Sequence, residues 1–223
     1  MAGLLKLEIA ENWLRDEGVG VLAELLNGGK LPLLAHLDLA RNGIGAEGAQ
    51  ALASAFERGA ATCLEALILN MNWIGARGAA VLAPTLSGLP VLARLAVSQN
   101  ELQFEGAEGW LATLGACQEL THLDVSNNAL GHAVVAGLPP KLQHLDLAEN
   151  SLQDAGAESL SNSLAGLACR STLRVVDLRL NHLSEAALAA LQQLVGRCTR
   201  LCRLDLRGNA VVTQPQDCPQ MVI

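Results

Sequence analysis

The sequence predicts an α/β solenoid: about eight strand–turn–helix units stacked so that their strands form one parallel sheet on a concave face while their helices cover the convex one. Three observations predict it. The pattern LxxLxLxxNxL, with Val or Ile allowed at apolar positions, recurs with asparagines at Asn12, Asn42, Asn72, Asn100, Asn128, Asn150, Asn181 and Asn209. Behind most of these asparagines lies an apolar stripe of helical spacing. The composition, 51% hydrophobic but only 2% aromatic with no tyrosine in 223 residues, suits repeated layers of Leu, Ala and Val better than a single compact globule.

The units open at Leu4, Leu34, Leu64, Leu92, Leu120, Leu142, Leu173 and Leu201, giving successive periods of 30, 30, 28, 28, 22, 31 and 28 residues. Within each, the LxL alternation has the period of two that marks a strand. Four residues beyond the last apolar position comes a small residue: Gly18, Gly48, Gly78, Gly106, Gly156 and Ala187. Four and eight residues further come pairs such as Leu22 and Leu26, Leu52 and Phe56, Leu82 and Leu86, Trp110 and Leu114, or Leu160 and Leu164. That spacing is one face of a helix. A unit of this kind cannot bury its apolar face alone, so neighbours must stack. Each asparagine falls where the chain leaves the sheet, and its amide can both donate to and accept from backbone groups that the sheet no longer pairs. It is therefore a structural ladder rather than a site.

Two places depart from the pattern. The fifth unit, residues 120–141, has only 22 residues and carries two prolines in "AVVAGLPPK", which leaves little room for a regular helix. The outcome is either a bend between the first four and the last three units or a return absorbed by the neighbouring helices. Both ends are abrupt, and the tail 212–223 has no helical pattern. Because solenoids generally carry polar caps, the expectation is a fragment of something larger, or ends covered by partners.

The stretches "LDLARNGIGAEGAQAL", "LDVSNNALG", "LDLAENSLQDAGAESL" and "LDLRLNHLSEAAL" resemble the leucine-rich repeat family. The helix-bearing period of about 28 residues resembles its ribonuclease-inhibitor-like class. The resemblance runs from residue 4 to about residue 211 and implies the fold above. That class includes ribonuclease inhibitor, the sensor regions of NOD-like receptors, tropomodulin-type caps and the Ran GTPase-activating protein, whose members chiefly bind other proteins through the concave face and adjoining loops. It implies a non-enzymatic protein-interaction scaffold. The alternatives are a GTPase-activating protein of the Ran type and the ligand-sensing segment of a NOD-like receptor or other multidomain protein.

Charge and motif content narrow the function further. A net charge of −7 argues against a nucleic-acid-binding or polybasic membrane surface. No apolar run approaches the roughly 20 residues of a membrane span, and the N-terminus does not read as a signal peptide. The cysteines Cys63, Cys117, Cys169, Cys198, Cys202 and Cys218 form no CxxC or Cys/His cluster, so they read as reduced thiols of a cytoplasmic protein. No nucleophile with an organised base, phosphate-binding glycine loop or zinc-hydrolase motif is present. Neither an enzyme nor a cofactor is expected.

Strand positions that point away from the core form columns across the sheet. One column reads Lys6, His36, Ala66, Arg94, His122, His144, Val175, Arg203, and the next reads Glu8, Asp38, Ile68, Ala96, Asp124, Asp146, Asp177, Asp205. The plain reading is two rows that compensate each other on a solvated surface. The sharper one takes His122, His144, Asp124 and Asp146, on strands ~4.8 Å apart, as donors that could converge on a metal. Two partner-binding regions stand out. Residues 1–169 hold 8 Lys+Arg and 18 Asp+Glu, net −10, whereas residues 170–223 hold 7 Arg and 4 acids, net +3. Arg174, Arg179, Arg203 and Arg207 are expected to share one patch there. It would either recognise an acidic segment of another protein or pair internally with Asp177 and Asp205. At the other end, Trp13 and Trp73 fall in one column with Gly43 between them, near Arg41, Ile68 and Met71. Exposed tryptophan is a favoured interface anchor.

Overall fold

The alternation of three-residue LxL segments with small-residue helical stripes builds one continuous sheet. The computed structural model describes residues 3–132, 137–164, 166, 168–211 and 219–223, apart from the side chains of 104–108 and 169. Strands β1 (Lys6–Glu8), β2 (His36–Asp38), β3 (Ala66–Ile68), β4 (Arg94–Ala96), β5 (His122–Asp124), β6 (His144–Asp146), β7 (Val175–Asp177), β8 (Arg203–Asp205) and β9 (Met221–Val222) pair in parallel and in sequence order. Helices α1 (Arg15–Asn27), α2 (Ala46–Glu57), α3 (Gly75–Leu86), α4 (Phe104–Thr113), α5 (Gln153–Leu164) and α6 (Leu188–Arg197) carry the chain back along the outer side. Strands stack about 4.8 Å apart but helices need 8–10 Å, so the sheet takes the inside of the curve.

The register aligns the middle residue of every strand from Leu7 to Leu204. Leu37, Leu67, Leu95, Leu123, Leu145, Val176 and Leu204 are all buried. The residues on either side of them form the two outward columns. The small positions are set by close approach: a Cβ on Gly48 would lie 2.6 Å from Asp16 Oδ1, and one on Gly78 would lie 2.7 Å from Ile74 Cγ2. Asp16 is close because its carboxylate accepts the Gly45 and Gly48 N–H groups, capping α2 from the previous repeat. Cys117 and Cys198 are buried and accept the Leu120 and Leu201 N–H groups through their carbonyls. Leu31, Ala61 and Leu89 hold the same position for Leu34, Leu64 and Leu92, so both thiols act as packing residues.

The asparagine ladder closes polar groups that neither sheet nor helix satisfies. Asn128 Oδ1 accepts the N–H groups of Asn100 and Leu102, while its Nδ2 donates to the carbonyls of Val97, Val125 and Ser126. Asn42, Asn72, Asn150 and Asn181 repeat the arrangement, each binding backbone of the preceding repeat. All of these are buried, whereas Asn12, in the first described repeat, is exposed.

The short fifth unit has no helix among its described residues, and 133–136, which hold much of the expected return, lie outside them. The described residues that flank 133–136 make close contacts. A Cβ on Gly115, just after α4, would lie 2.4 Å from Gly137 O, and one on Gly156 in α5 would lie 3.6 Å from the His132 Cα. The described flanks of the return, His132 and Gly137, thus bring backbone close to α5 and to the end of α4. The tail carries an element that the sequence reading did not expect. Residues 212–218 lie outside the described set, but Met221 and Val222 add the strand β9 beside β8, with Met221 buried in the core.

Two stability experiments follow. Asn128→Ala should cost about 2–4 kcal/mol in denaturant unfolding, because it orphans several buried backbone groups, whereas Asn12→Ala should cost under about 1 kcal/mol; equal losses would mean the ladder is not what the interior asparagines supply. Gly115→Ala should destabilise by roughly 1–3 kcal/mol through overpacking. Gly20→Ala in α1, where a Cβ meets nothing within 4 Å, should instead stabilise by about 0.5–1 kcal/mol.

Candidate partner-binding face

The acidic column is first of all a set of turn caps. A carboxylate at the end of each short strand reaches the N–H two residues on: Asp38 Oδ1 accepts from Ala40, Asp124 from Ser126, Asp146 from Ala148, Asp177 from Arg179 and Asp205 from Arg207. Where the column turns apolar at Ala96, Asn70 Oδ1 of the preceding repeat takes over the Ser98 N–H. Compensation between the two columns is therefore partial. Among the described residues it occurs as ion pairs at the ends, Lys6 with Glu8 and Arg203 with Asp205, and not at His122 or His144.

His122 and His144 do not converge on a metal. Their rings stack with centroids 4.3 Å apart and 7° between planes, and His122 Nδ1 is engaged by Thr121 Oγ1 at 2.9 Å. Burial, mutual repulsion and Arg94 lower the His122 pKa, and burial with Arg174 and Arg94 lowers that of His144. The stack floors a hollow of about 300 Å³ with Arg94 on one rim and Asp124, Asp146 and Asp177 on the other. Burial, reinforced by Asp124 and Asp177 and opposed by the Ala148 N–H and Arg179, pushes the Asp146 carboxyl up to about 6. Among the described residues the metal-type donors that do come together are Glu8, His36 and Asp38, within 4.8 Å of one another. Lys6 Nζ already lies 2.8 Å from Glu8.

Three of the four C-terminal arginines meet on one carboxylate. Asp205 is only 2% exposed and receives Arg203 Nη2 at 2.6 Å, Arg207 Nη2 at 2.8 Å and, more distantly, Arg179 Nε at 3.9 Å. Arg179 also grips Asp177 with Nε and Nη2. Hydrogen bonds from Arg207 and Arg203 outweigh burial and hold Asp205 down to about 2. Arg174 stands beside the cluster: its carbonyl accepts the Arg203 N–H at 3.1 Å, its side chain is exposed, and among the described residues it has no acidic partner. For Arg179, Arg203 and Arg207 this is the internal pairing with Asp177 and Asp205 that the sequence offers as an alternative; what the sequence does not give is the depth of Asp205, next to which β9 closes the sheet.

At the other end, Trp13 is 68% and Trp73 59% exposed. The glycine gap between them is filled: Trp73 Cζ3 would lie 3.4 Å from a Cβ on Gly43, so Gly43 is the seat of the Trp73 ring. Arg41 bridges repeats, with Nη1 2.8 Å from Glu11 and Nε 2.7 Å from the Met71 sulfur. Ile68 is half-buried on the inner surface. Met71 and Trp73 also wall a second hollow of about 430 Å³ together with Gln99, Glu101 and Asn127.

A leucine-rich repeat family model matches residues 30–53, 60–83, 116–132 and 139–161. No curated protein sequence matches the chain. Among solved structures it is similar to the leucine-rich repeat-containing protein LegL7 of Legionella pneumophila, with a TM-score of 0.57 and 18% identity over 93% of this chain and 67% of that one. Weaker likenesses are to human 5T4, a trophoblast glycoprotein (TM-score 0.42, 22% identity, 81% of this chain and 54% of that one), and to the yeast Rad7–Elc1 complex (0.31, 14%, 93% and 77%). At these identities the shared feature is the fold. No helix among the described residues is long and apolar enough to cross a membrane.

The Asp146 environment has a pH signature. Its folded-state pKa is raised, so between pH 3.8 and about 6 the folded chain holds a proton that the unfolded chain has released, and ionised Asp146 weakens the fold above that window. Asp146→Asn should therefore raise stability at pH 7.5 by on the order of 1 kcal/mol, with the gain vanishing below pH 4 in thermal melts. A gain that persists at low pH would remove charge as its cause.

Proposed function

We propose that this chain, a leucine-rich repeat protein, is a non-enzymatic interaction scaffold of the ribonuclease-inhibitor-like class that binds another protein in the cytoplasm. Helix-bearing repeats of 28 to 31 residues in the first four, the sixth and the seventh units support the class. The cytoplasmic setting is supported by the described thiols of Cys63, Cys117, Cys198 and Cys202, all unpaired. Burial raises the pKa of Cys117 and Cys198 to about 11, which suits stable reduced thiols.

The observation that carries the reading is the pair of exposed tryptophans on the loop edge. Trp13 and Trp73 leave more than half of their surface in water. The Trp73 ring is nevertheless seated against Gly43 and so pays little further entropy when covered. Arg41, held by Glu11 and Met71, and half-buried Ile68 extend that edge onto the inner face. The mechanism is geometric: a preformed surface spreads its contacts over several repeats whose spacing the ladder holds constant.

Affinity capture from cell lysate, comparing the native chain with Trp13→Ala/Trp73→Ala, tests it. Both rings are exposed, so the double variant should keep its circular dichroism spectrum. It should bind the specific partner at least roughly 30-fold more weakly, as expected for loss of about 2 kcal/mol at an aromatic anchor. An unchanged partner list and affinity would sink the edge as the interface.

A further inference from the structure

The residue two places beyond each acidic-column position reads Ala10, Ala40, Asn70, Ser98, Ser126, Ala148, Arg179 and Arg207. Six repeats keep this position small or amide-bearing, and the last two place a guanidinium there. In those same repeats the strand supplies Arg203, and Arg174 immediately precedes β7. Arg179, Arg203 and Arg207 gather around Asp205 at the C-terminal end of the inner face, and Arg174 lies one residue before β7.

Their geometry differs from a set of neutralised ion pairs in two respects. First, Asp205 is a buried hub, 2% exposed, while Arg179, Arg203 and Arg207 remain 42%, 49% and 51% exposed. Asp205 fixes Arg203 and Arg207 and Asp177 fixes Arg179, each through one side of the guanidinium, and the other side is left open. Arg207 spends Nε and Nη2, Arg179 spends Nε and Nη2, and Arg203 spends Nη2. Among the described residues no bond engages the Nη1 of any of the three. Second, the charges do not cancel. Three guanidiniums, of Arg179, Arg203 and Arg207, stand against the two carboxylates of Asp177 and Asp205, an excess of one positive charge, with exposed Arg174 just before β7 and Asp146 one strand further on. Several oriented guanidinium edges, each with a free Nη1 and with positive charge in excess, complement a tetrahedral dianion with several acceptor oxygens better than a single planar carboxylate.

We propose that the Asp205-centred arginine cluster binds a phosphomonoester dianion carried on a phosphorylated serine or threonine of the protein partner. The proposal rests on the scaffold reading above and assigns the C-terminal end of the inner face as the place where a phosphorylated segment docks. Asp205 acts as a positioning residue, and Arg179, Arg203 and Arg207 donate to the phosphoryl oxygens, with Arg174 adding charge at the rim.

The first probe is inorganic phosphate, titrated at pH 7.5 and constant ionic strength into isotopically labelled protein while the arginine Nε–Hε resonances are followed. Acetate serves as the planar control. Phosphate should shift the Arg203 and Arg207 signals saturably, and acetate should bind at least 5-fold more weakly. Arg207→Lys keeps the charge but loses the fork and should weaken phosphate at least 5-fold; binding equal to wild type would mean unspecific attraction and would overturn the site. Asp205→Asn adds positive charge yet frees the forks, so it too should weaken phosphate. If that variant unfolds, Arg203→Gln, which leaves the hub in place, decides the matter by the same criterion.

The second probe is an immobilised degenerate nonapeptide pool centred on phosphoserine, set against the unphosphorylated pool. Retention of the phosphorylated pool at least 10-fold above the other supports the proposal. Saturable phosphate binding with equal retention of the two pools would assign the cluster to a small anion and overturn the peptide source. Partner capture that is lost in Trp13→Ala/Trp73→Ala but indifferent to phosphatase treatment and to Arg207→Lys would defeat this inference and leave the scaffold reading standing.

Discussion

Everything on the inner face depends on how the chain leaves the sheet. After each three-residue strand the backbone turns through alternating left-handed residues, such as Gln99, Glu101 and Gln103 or Asn127, Ala129 and Gly131. Their conformation aims the N–H groups two residues apart at a common point. Left to itself that concavity would be buried and unsatisfied. The amide oxygen of the next repeat's asparagine occupies it, as Asn150 Oδ1 does for Asn128 and Leu130. No repeat is therefore complete without the one that follows, and the strands are held at constant spacing and register. Side chains on the outward columns inherit that regularity, and this is why histidines on β5 and β6 stack face to face.

The parts legible in the sequence were those tied to a period. The strands, the asparagine ladder, the small positions and the helical faces all recur, and the structure places strands at each of the eight expected units. What recurs only once was not legible. Strand β9 is two residues with a single core side chain, Met221, and carries no alternation to detect. The fate of the short fifth return turned on whether backbone could approach backbone at Gly115 and Gly137, which spacing alone does not state. Column reading brought Arg179, Arg203 and Arg207 together correctly as neighbours. It could not tell that Asp205 lies beneath them rather than beside them, because burial of an edge-strand carboxylate depends on what pairs beyond it. The metal alternative failed for a related reason: strand spacing fixed how far apart the imidazoles lie, but their orientation followed from packing and from the Thr121 hydrogen bond.

The same economy governs the two candidate binding regions. At the N-terminal edge, Gly43 serves the turn through its left-handed conformation and, by having no side chain, also seats Trp73. At the C-terminal end, Asp177 and Asp205 keep the role that the acidic column has elsewhere, accepting the N–H two residues on, and add the arginine contacts with their remaining lone pairs. A carboxylate has about four acceptor positions, and the turn uses one. Asp205 spends the remainder on Arg203 and Arg207, whose hydrogen bonds together outweigh its burial and depress its pKa. Binding features of this kind cost the fold little, because each reuses a group already held in place by the repeat. They also vary from repeat to repeat without disturbing the ladder beneath them.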